Sequence, residues 1–62
     1  MRDYYSEIDQ ALTRLELGKY PTHPITWVAK RVVWCWKWHK ITQGQLEVLC
    51  DRLIAYFEGP QV

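Results

Sequence analysis

The positions of glycine, proline and capping residues divide this chain of 62 residues into three segments. Gly18 and Pro21 end the first segment, because glycine readily adopts the left-handed conformation that follows a helix and proline cannot continue one. Thr42 and Gln45 have the spacing of a capping box, which starts a helix, and the Gly59–Pro60 pair ends the last segment. The sequence therefore predicts an all-α three-helix bundle in which the second helix is central. The predicted helices cover about residues 3–17, 24–40 and 42–58 of a single domain, 1–62.

Each predicted helix carries an apolar stripe at helical spacing, which is expected to face a common core. The stripes are Tyr5, Ile8, Leu12 and Leu15 in the first helix, Ile25, Val28, Val32, Cys35, Trp36 and His39 in the second, and Leu46, Leu49, Cys50, Leu53 and Phe57 in the third. Asp3 is expected to cap the first helix. Pro24 suits the first turn of the second helix, with Thr22 or His23 near its cap.

The second helix carries more apolar surface than a single core contact requires. Trp27, Trp34 and Trp38 fall within about 40° of one another on one flank of its core stripe. This flank is either buried, because a central helix packs against two neighbours, or exposed as a contact surface for a partner. Three indoles are difficult to bury in so small a bundle, so we expect at least one to be exposed or covered by a partner. The candidate partner-binding residues are Trp27, Lys30, Arg31, Trp34, Lys37 and Trp38.

Charge is distributed unevenly along the chain, although the formal net charge is only +1. Residues 18–41 contain basic but no acidic side chains, whereas acids outnumber bases on either side. If the tryptophans are buried, the bases of the middle segment are expected to pair with acids of the outer helices. The acidic third helix argues against DNA recognition by a helix-turn-helix, because it would repel phosphate. A smaller second patch is expected from Val48, Arg52 and Ala55, which lie off the third core stripe.

The chain shows no strong signature of a catalytic or metal site. Cys35 and Cys50 are too few for a disulfide framework and are expected to be reduced core thiols. With His39 they could form part of a zinc site, but no C-x-x-C or H-x-x-H pair supports one. A Cys35–His39 dyad would lack an orienting third group. We therefore expect no enzyme, metal or cofactor. Acids at the N-terminus and the lack of a long apolar run predict a cytoplasmic protein with no membrane partner.

The segment Trp36–Leu46 resembles a helical hairpin of small bacterial and phage proteins, in which an aliphatic residue and a Thr cap follow a short basic helix end. Lys40, Ile41 and Thr42 provide that pattern here. The overall format, a very short helical chain that is rich in Tyr and Trp and alternates in charge, is similar to that of small accessory proteins of phages and integrative elements of Gram-positive bacteria. This resemblance implies a protein that binds and alters one host or phage macromolecule, including inhibitors of bacterial defence proteins, and it implies no catalytic residue.

The expected function is accordingly that of a non-enzymatic protein-binding module that uses the aromatic and basic flank of the second helix. Two alternatives remain open. The same flank could bind nucleic acid, with bases stacking on the indoles and the basic side chains neutralising phosphates. It could also be buried in a homodimer around a two-fold axis.

Overall fold

The computed structural model describes residues 2–59, which form three α-helices. These are α1 (Tyr4–Leu17), α2 (Ile25–Lys37) and α3 (Gln43–Glu58). The helices pack against one another, and α2 contacts both neighbours, most extensively α1. The prediction of an all-α three-helix bundle is confirmed. Pro60, which was expected to help end the third helix, lies outside the described residues.

The first and third helices begin at the side-chain caps that the sequence indicates. The Asp3 carboxylate accepts a hydrogen bond of 3.1 Å from the backbone N–H of Ser6. The Thr42 hydroxyl accepts one of 3.1 Å from the N–H of Gln45, whose side-chain oxygen accepts one of 3.0 Å from the N–H of Thr42. This reciprocal pair is a complete capping box, so the start of α3 is fixed locally.

The start of α2 differs from the prediction. Pro24 is the N-cap residue rather than a first-turn residue, and no side chain caps the helix. Thr22 and His23 lie just before the cap residue, as expected, but neither side chain forms a capping hydrogen bond. The His23 ring instead stacks on the Trp27 indole, with centroids 3.8 Å apart and an interplanar angle of 17°.

The end of α2 also differs, because the helix stops at Lys37 rather than at Lys40. His39 has a φ of +56°, in the left-handed region that glycine usually occupies. Its N–H donates to the carbonyl of Trp36 at 3.2 Å, and the N–H of Lys40 donates to the carbonyl of Cys35 at 2.7 Å. These two bonds are the Schellman arrangement that closes a helix, here formed without a glycine.

The core is formed by side chains from all three helices and from the α2–α3 connection. Its buried members are Ile8, Ala11, Leu12, Val28, Val32, Cys35, Ile41 and Leu49. Three residues of the predicted stripes are exposed instead: Trp36, His39 and Phe57. His39 lies beyond the helix end. Trp36 and Phe57 lie at the edges of their stripes, and Phe57 is in the last turn of α3, which at 16 residues is longer than the 13-residue α2 beside it.

Arg52 joins α3 to α1. Its guanidinium donates to the Asp9 carboxylate, to the Thr13 hydroxyl at 2.9 Å and to the Glu16 carboxylate at 2.7 Å. The bonds to Glu16 raise the pKa of Arg52 above its ordinary value, so the side chain remains charged. Arg52 is therefore part of the α1–α3 contact and does not contribute to a patch with Val48 and Ala55.

Replacing His39 by glycine should stabilise the protein. We expect His39→Gly to raise the free energy of unfolding by about 0.5–1 kcal/mol, because glycine adopts a positive φ without the steric cost of a Cβ. Gly18→Ala, at a φ of +69°, should lower it by a similar amount. Urea unfolding followed by circular dichroism measures both changes, and a destabilised His39→Gly variant would contradict the assignment.

Replacing Arg52 should weaken the contact between α1 and α3. We expect Arg52→Met to lower the free energy of unfolding by about 1–2 kcal/mol, because Asp9 and Glu16 lose a charged hydrogen-bond donor that links the two helices. Arg2→Met is the matched control, since the Arg2–Glu7 ion pair is exposed and lies at one end of α1. Equal losses for the two variants in urea titrations would contradict a specific role for Arg52.

Candidate binding surface

The aromatic and basic flank of α2 lies beside α1. The rings of Tyr4 and Trp34 are 5.8 Å apart between centroids, at an interplanar angle of 42°. A guanidinium nitrogen of Arg31 lies 3.7 Å from a carboxylate oxygen of Glu7. These contacts identify the side of α2 that faces α1.

Arg31 lies at the centre of this contact. Its guanidinium carbon is 4.6 Å from the ring centroid of Trp34, 5.4 Å from that of Tyr4 and 5.9 Å from that of Trp27. Only 21% of the side chain is exposed. Its Nε atom is buried and has no hydrogen-bond partner in the described part of the chain. Ring faces and one carboxylate therefore hold the cation in place, and Arg31 acts as an internal link between α1 and α2.

Trp27 also belongs largely to the interior of the protein. Its side chain is half-buried and packs against the core cluster, and its outer face is covered by the His23 ring. The sequence placed Trp27 with Trp34 and Trp38 because helical phase groups them. It gave no sign that the loop before α2 folds back to cover one of the three.

The remaining predicted residues are exposed, and all of them except Lys30 lie in the C-terminal half of α2 or directly after it. Trp34 exposes 38% of its surface and Trp38 exposes 55%. The Lys37 ammonium lies 5.6 Å from the ring centroid of Trp38, within cation–π range. Lys30 is exposed one turn before Trp34. We refer to Lys30, Trp34, Lys37 and Trp38 as the indole surface.

Two residues outside the predicted set border the indole surface. The Lys40 ammonium lies 5.6 Å from the Tyr4 ring centroid, and that ring also contacts Trp34. The left-handed turn at His39 accounts for the position of Lys40, which a continuous helix to residue 40 would not have indicated. Tyr4 directly precedes Tyr5, the first residue of the predicted α1 stripe, so the sequence indicates a position near the core but not the contact with Trp34.

Some charged side chains of α2 and α3 form no ion pair within residues 2–59. Of the expected pairs between the middle segment and the outer helices, the structure forms Arg31–Glu7. Within residues 2–59, Lys30 and Lys37 of α2 form no ion pair, and neither do Glu47 and Asp51 of α3. The acids of α1 differ, since Glu7, Asp9 and Glu16 all contact arginine. The unpaired charge is therefore basic on α2 and acidic on α3.

The two thiols are free, and Cys35 is buried while Cys50 is half-buried. Burial raises the pKa of the Cys35 thiol, which disfavours the thiolate that a nucleophile or metal ligand requires. Among residues 2–59, no group of three His, Cys, Asp or Glu side chains is placed to hold a metal ion. An open cleft of about 440 Å³ beside α1 and Tyr20 contains neither thiol and none of the predicted binding residues.

Comparisons with known proteins do not indicate a function for this chain. The chain matches no known family model, and no curated protein or solved structure shows significant similarity to it. Within the described residues, none of the helices combines the length and the apolar character needed to cross a membrane.

Arg31 should contribute to stability through its planar guanidinium as well as its charge. We expect Arg31→Lys to lower the free energy of unfolding by about 1–2 kcal/mol, because an ammonium cannot lie flat against the rings of Tyr4 and Trp34. The near-ultraviolet circular dichroism of the tryptophans should weaken in parallel. Lys30→Arg, the reverse change at an exposed neighbouring position, is the control. Equal stability of Arg31→Lys and the parent protein would contradict the proposed packing.

Proposed function

We propose that this protein is a non-enzymatic protein-binding module whose indole surface contacts a partner protein. The observation that carries the proposal is the exposure of Trp34 and Trp38 beside Lys30 and Lys37, which have no acidic partner within residues 2–59. Exposed indoles provide large, rigid contact areas, and tryptophan is among the residue types that dominate binding energy at protein interfaces. The two lysines add charge at the border of the apolar contact, where protein interfaces are typically polar.

The chemistry of the indole surface describes the partner it would accept. Trp38 projects where α2 has ended, so a groove on the partner could receive its ring. Lys30 and Lys37 favour carboxylates around that groove. A nucleic acid would meet the same lysines, but two lysines neutralise few of the phosphates on which nucleic-acid affinity depends. A protein with an apolar groove and an acidic rim is therefore the better match.

The biological setting that we propose follows from the resemblance to small accessory proteins of phages and integrative elements. The partner would then be a host or phage protein, and inhibition of a host defence protein is the specific form that we propose. The free thiols of Cys35 and Cys50 are consistent with a reducing compartment such as the cytoplasm.

Trp36 and Trp38 provide a matched pair of variants for testing the proposal. Both indoles lie near the end of α2 and are exposed, at 42% and 55%, but Trp36 lies on the opposite flank from the indole surface. We expect Trp38→Ala to weaken capture of the partner at least about tenfold, since it removes a central aromatic contact. Trp36→Ala should retain capture. The measurement is a quantitative pull-down from host lysate with the tagged protein and each variant.

The pull-down is interpreted against two further measurements. Circular dichroism should show the same helical content for both variants, because each indole is substantially exposed. Nuclease treatment of the lysate should leave the captured protein in place. Equal capture by the two variants would refute the role of the indole surface, and loss of all captured material after nuclease treatment would indicate nucleic-acid binding instead.

A further inference from the structure

A second apolar surface lies on the other flank of α2, between α2 and α3. Val33 and Trp36 expose 66% and 42% of their surface, and Ile54 and Phe57 of α3 expose 55% and 63%. Helical phase places the first two on the side of the α2 core stripe opposite Arg31. It places Ile54 and Phe57 on the side of the α3 core stripe opposite Arg52, the α3 residue that contacts α1. Both pairs therefore border the same α2–α3 face, which we define by these four residues.

Unpaired charges of opposite sign border the two edges of the α2–α3 face. Lys30 and Lys37 follow the α2 edge, and Glu47 and Asp51 follow the α3 edge. Within residues 2–59 these four side chains form no ion pairs. The connection of residues 38–42 is short, so α2 and α3 are antiparallel neighbours. Lys30 is accordingly about level with Asp51 along the bundle, and Lys37 lies closer to the level of Glu47.

A face with one basic and one acidic edge is complementary to a second copy of itself. A two-fold axis parallel to the helices brings the α2 edge of each copy beside the α3 edge of the other. Every neighbouring pair of helices is then antiparallel, as in an up-down four-helix bundle. The lysines of each copy lie beside the acids of the other, and the four apolar side chains of each copy meet at the centre.

We propose that two copies of this chain associate through their α2–α3 faces to form such a dimer. The four exposed side chains present roughly 400 Å² of apolar surface per copy, judged from the area that side chains of this size bury. A standard interface buries about 800 Å² per partner, of which the apolar centre is only a part. The face thus supplies the apolar centre of a small interface, and the charged edges supply its rim. This dimer leaves Trp34 and Trp38 open, unlike one that buries Trp27, Trp34 and Trp38, and it takes only the two lysines of the indole surface into its rim.

The first test measures mass as a function of concentration. In sedimentation equilibrium from about 10 µM to about 1 mM, the parent protein should approach twice its 7.5 kDa monomer mass. Ile54→Glu should remain monomeric, because it places a charge at the centre of the interface. Val48→Glu is the matched control, since Val48 is 47% exposed on α3 but lies off the α2–α3 face. A parent protein that stays monomeric throughout, or equal effects of the two glutamates, would overturn the proposal.

A charge-reversal experiment tests the arrangement of the two copies. One variant combines Lys30→Glu with Lys37→Glu, and the other combines Glu47→Lys with Asp51→Lys. Each should be monomeric alone, because its two edges then carry the same sign. An equimolar mixture should form a mixed dimer, because each edge meets its opposite again. This result does not depend on the folding of Ile54→Glu, and a mixture that remains monomeric would overturn the proposed pairing.

Trp38→Ala distinguishes this proposal from the proposed partner contact. It should leave the mass of the dimer unchanged, since Trp38 lies on the opposite flank of α2. If Trp38→Ala abolishes association, the interface is the indole surface and the α2–α3 dimer is refuted. If the parent protein is monomeric but Trp38→Ala still abolishes partner capture, the dimer is refuted and the proposed function stands.

Discussion

The contact of α1 with α2 around the Arg31 guanidinium determines which parts of α2 remain available to other molecules. Tyr4, Trp27 and Trp34 surround the cation, and Glu7 partly neutralises it. Because this contact orients α2 about its own axis, it places Trp38 on an exposed flank and Trp36 on the opposite one. A rotation of α2 by one residue position, about 100°, would move both Trp36 and Trp38 to other sides of the bundle. The proposed surfaces both depend on this single orientation.

Arginine and lysine have separate roles in this protein. Among the described residues, Arg2, Arg31 and Arg52 form ion pairs. Each contacts a carboxylate of α1, and Arg31 and Arg52 do so from another helix. Lys30 and Lys37 contact no carboxylate within residues 2–59. A planar guanidinium can make several directed hydrogen bonds and stack on rings, whereas an ammonium is a strongly hydrated point charge. The acidic–basic–acidic pattern of the sequence is therefore only partly explained by internal pairing.

Local signals in the sequence were sufficient where one or two residues determine the structure. Gly18 and the Thr42–Gln45 pair fixed a helix end and a helix start that the structure confirms. The end of α2 could not be predicted in the same way, because His39 occupies a position that normally requires glycine. The sequence therefore predicts helix over residues 38–40, which lie beyond the end of α2 in the structure.

The exposure of individual side chains depends on tertiary packing, which the spacing of apolar residues in the sequence does not specify. An apolar stripe predicts which side of a helix faces the core, but not how much of that side the neighbouring helix covers. The stripes therefore assign Trp36 and Phe57 to the core, although both are exposed. The candidate binding residues fall into an internal group and an exposed group for the same reason. Trp27 and Arg31 are internal because the His23 ring and α1 reach them, and neither contact has a signature in the spacing of residues along α2.

Lys30 and Lys37 lie between Trp34 and Trp38 on one flank of α2 and the α2–α3 face on the other, and this limits what charge variants alone can show. Reversing either lysine changes the electrostatic attraction on both flanks, since an unpaired surface charge acts over about 10 Å at ordinary salt. The aromatic side chains act only at contact distance, because dispersion and water exclusion require touching surfaces. Trp38 and Trp36 therefore report on separate flanks even though the lysines between them do not. A loss of binding caused by replacing an indole identifies which surface is used. A loss caused by replacing a lysine shows only that positive charge is needed.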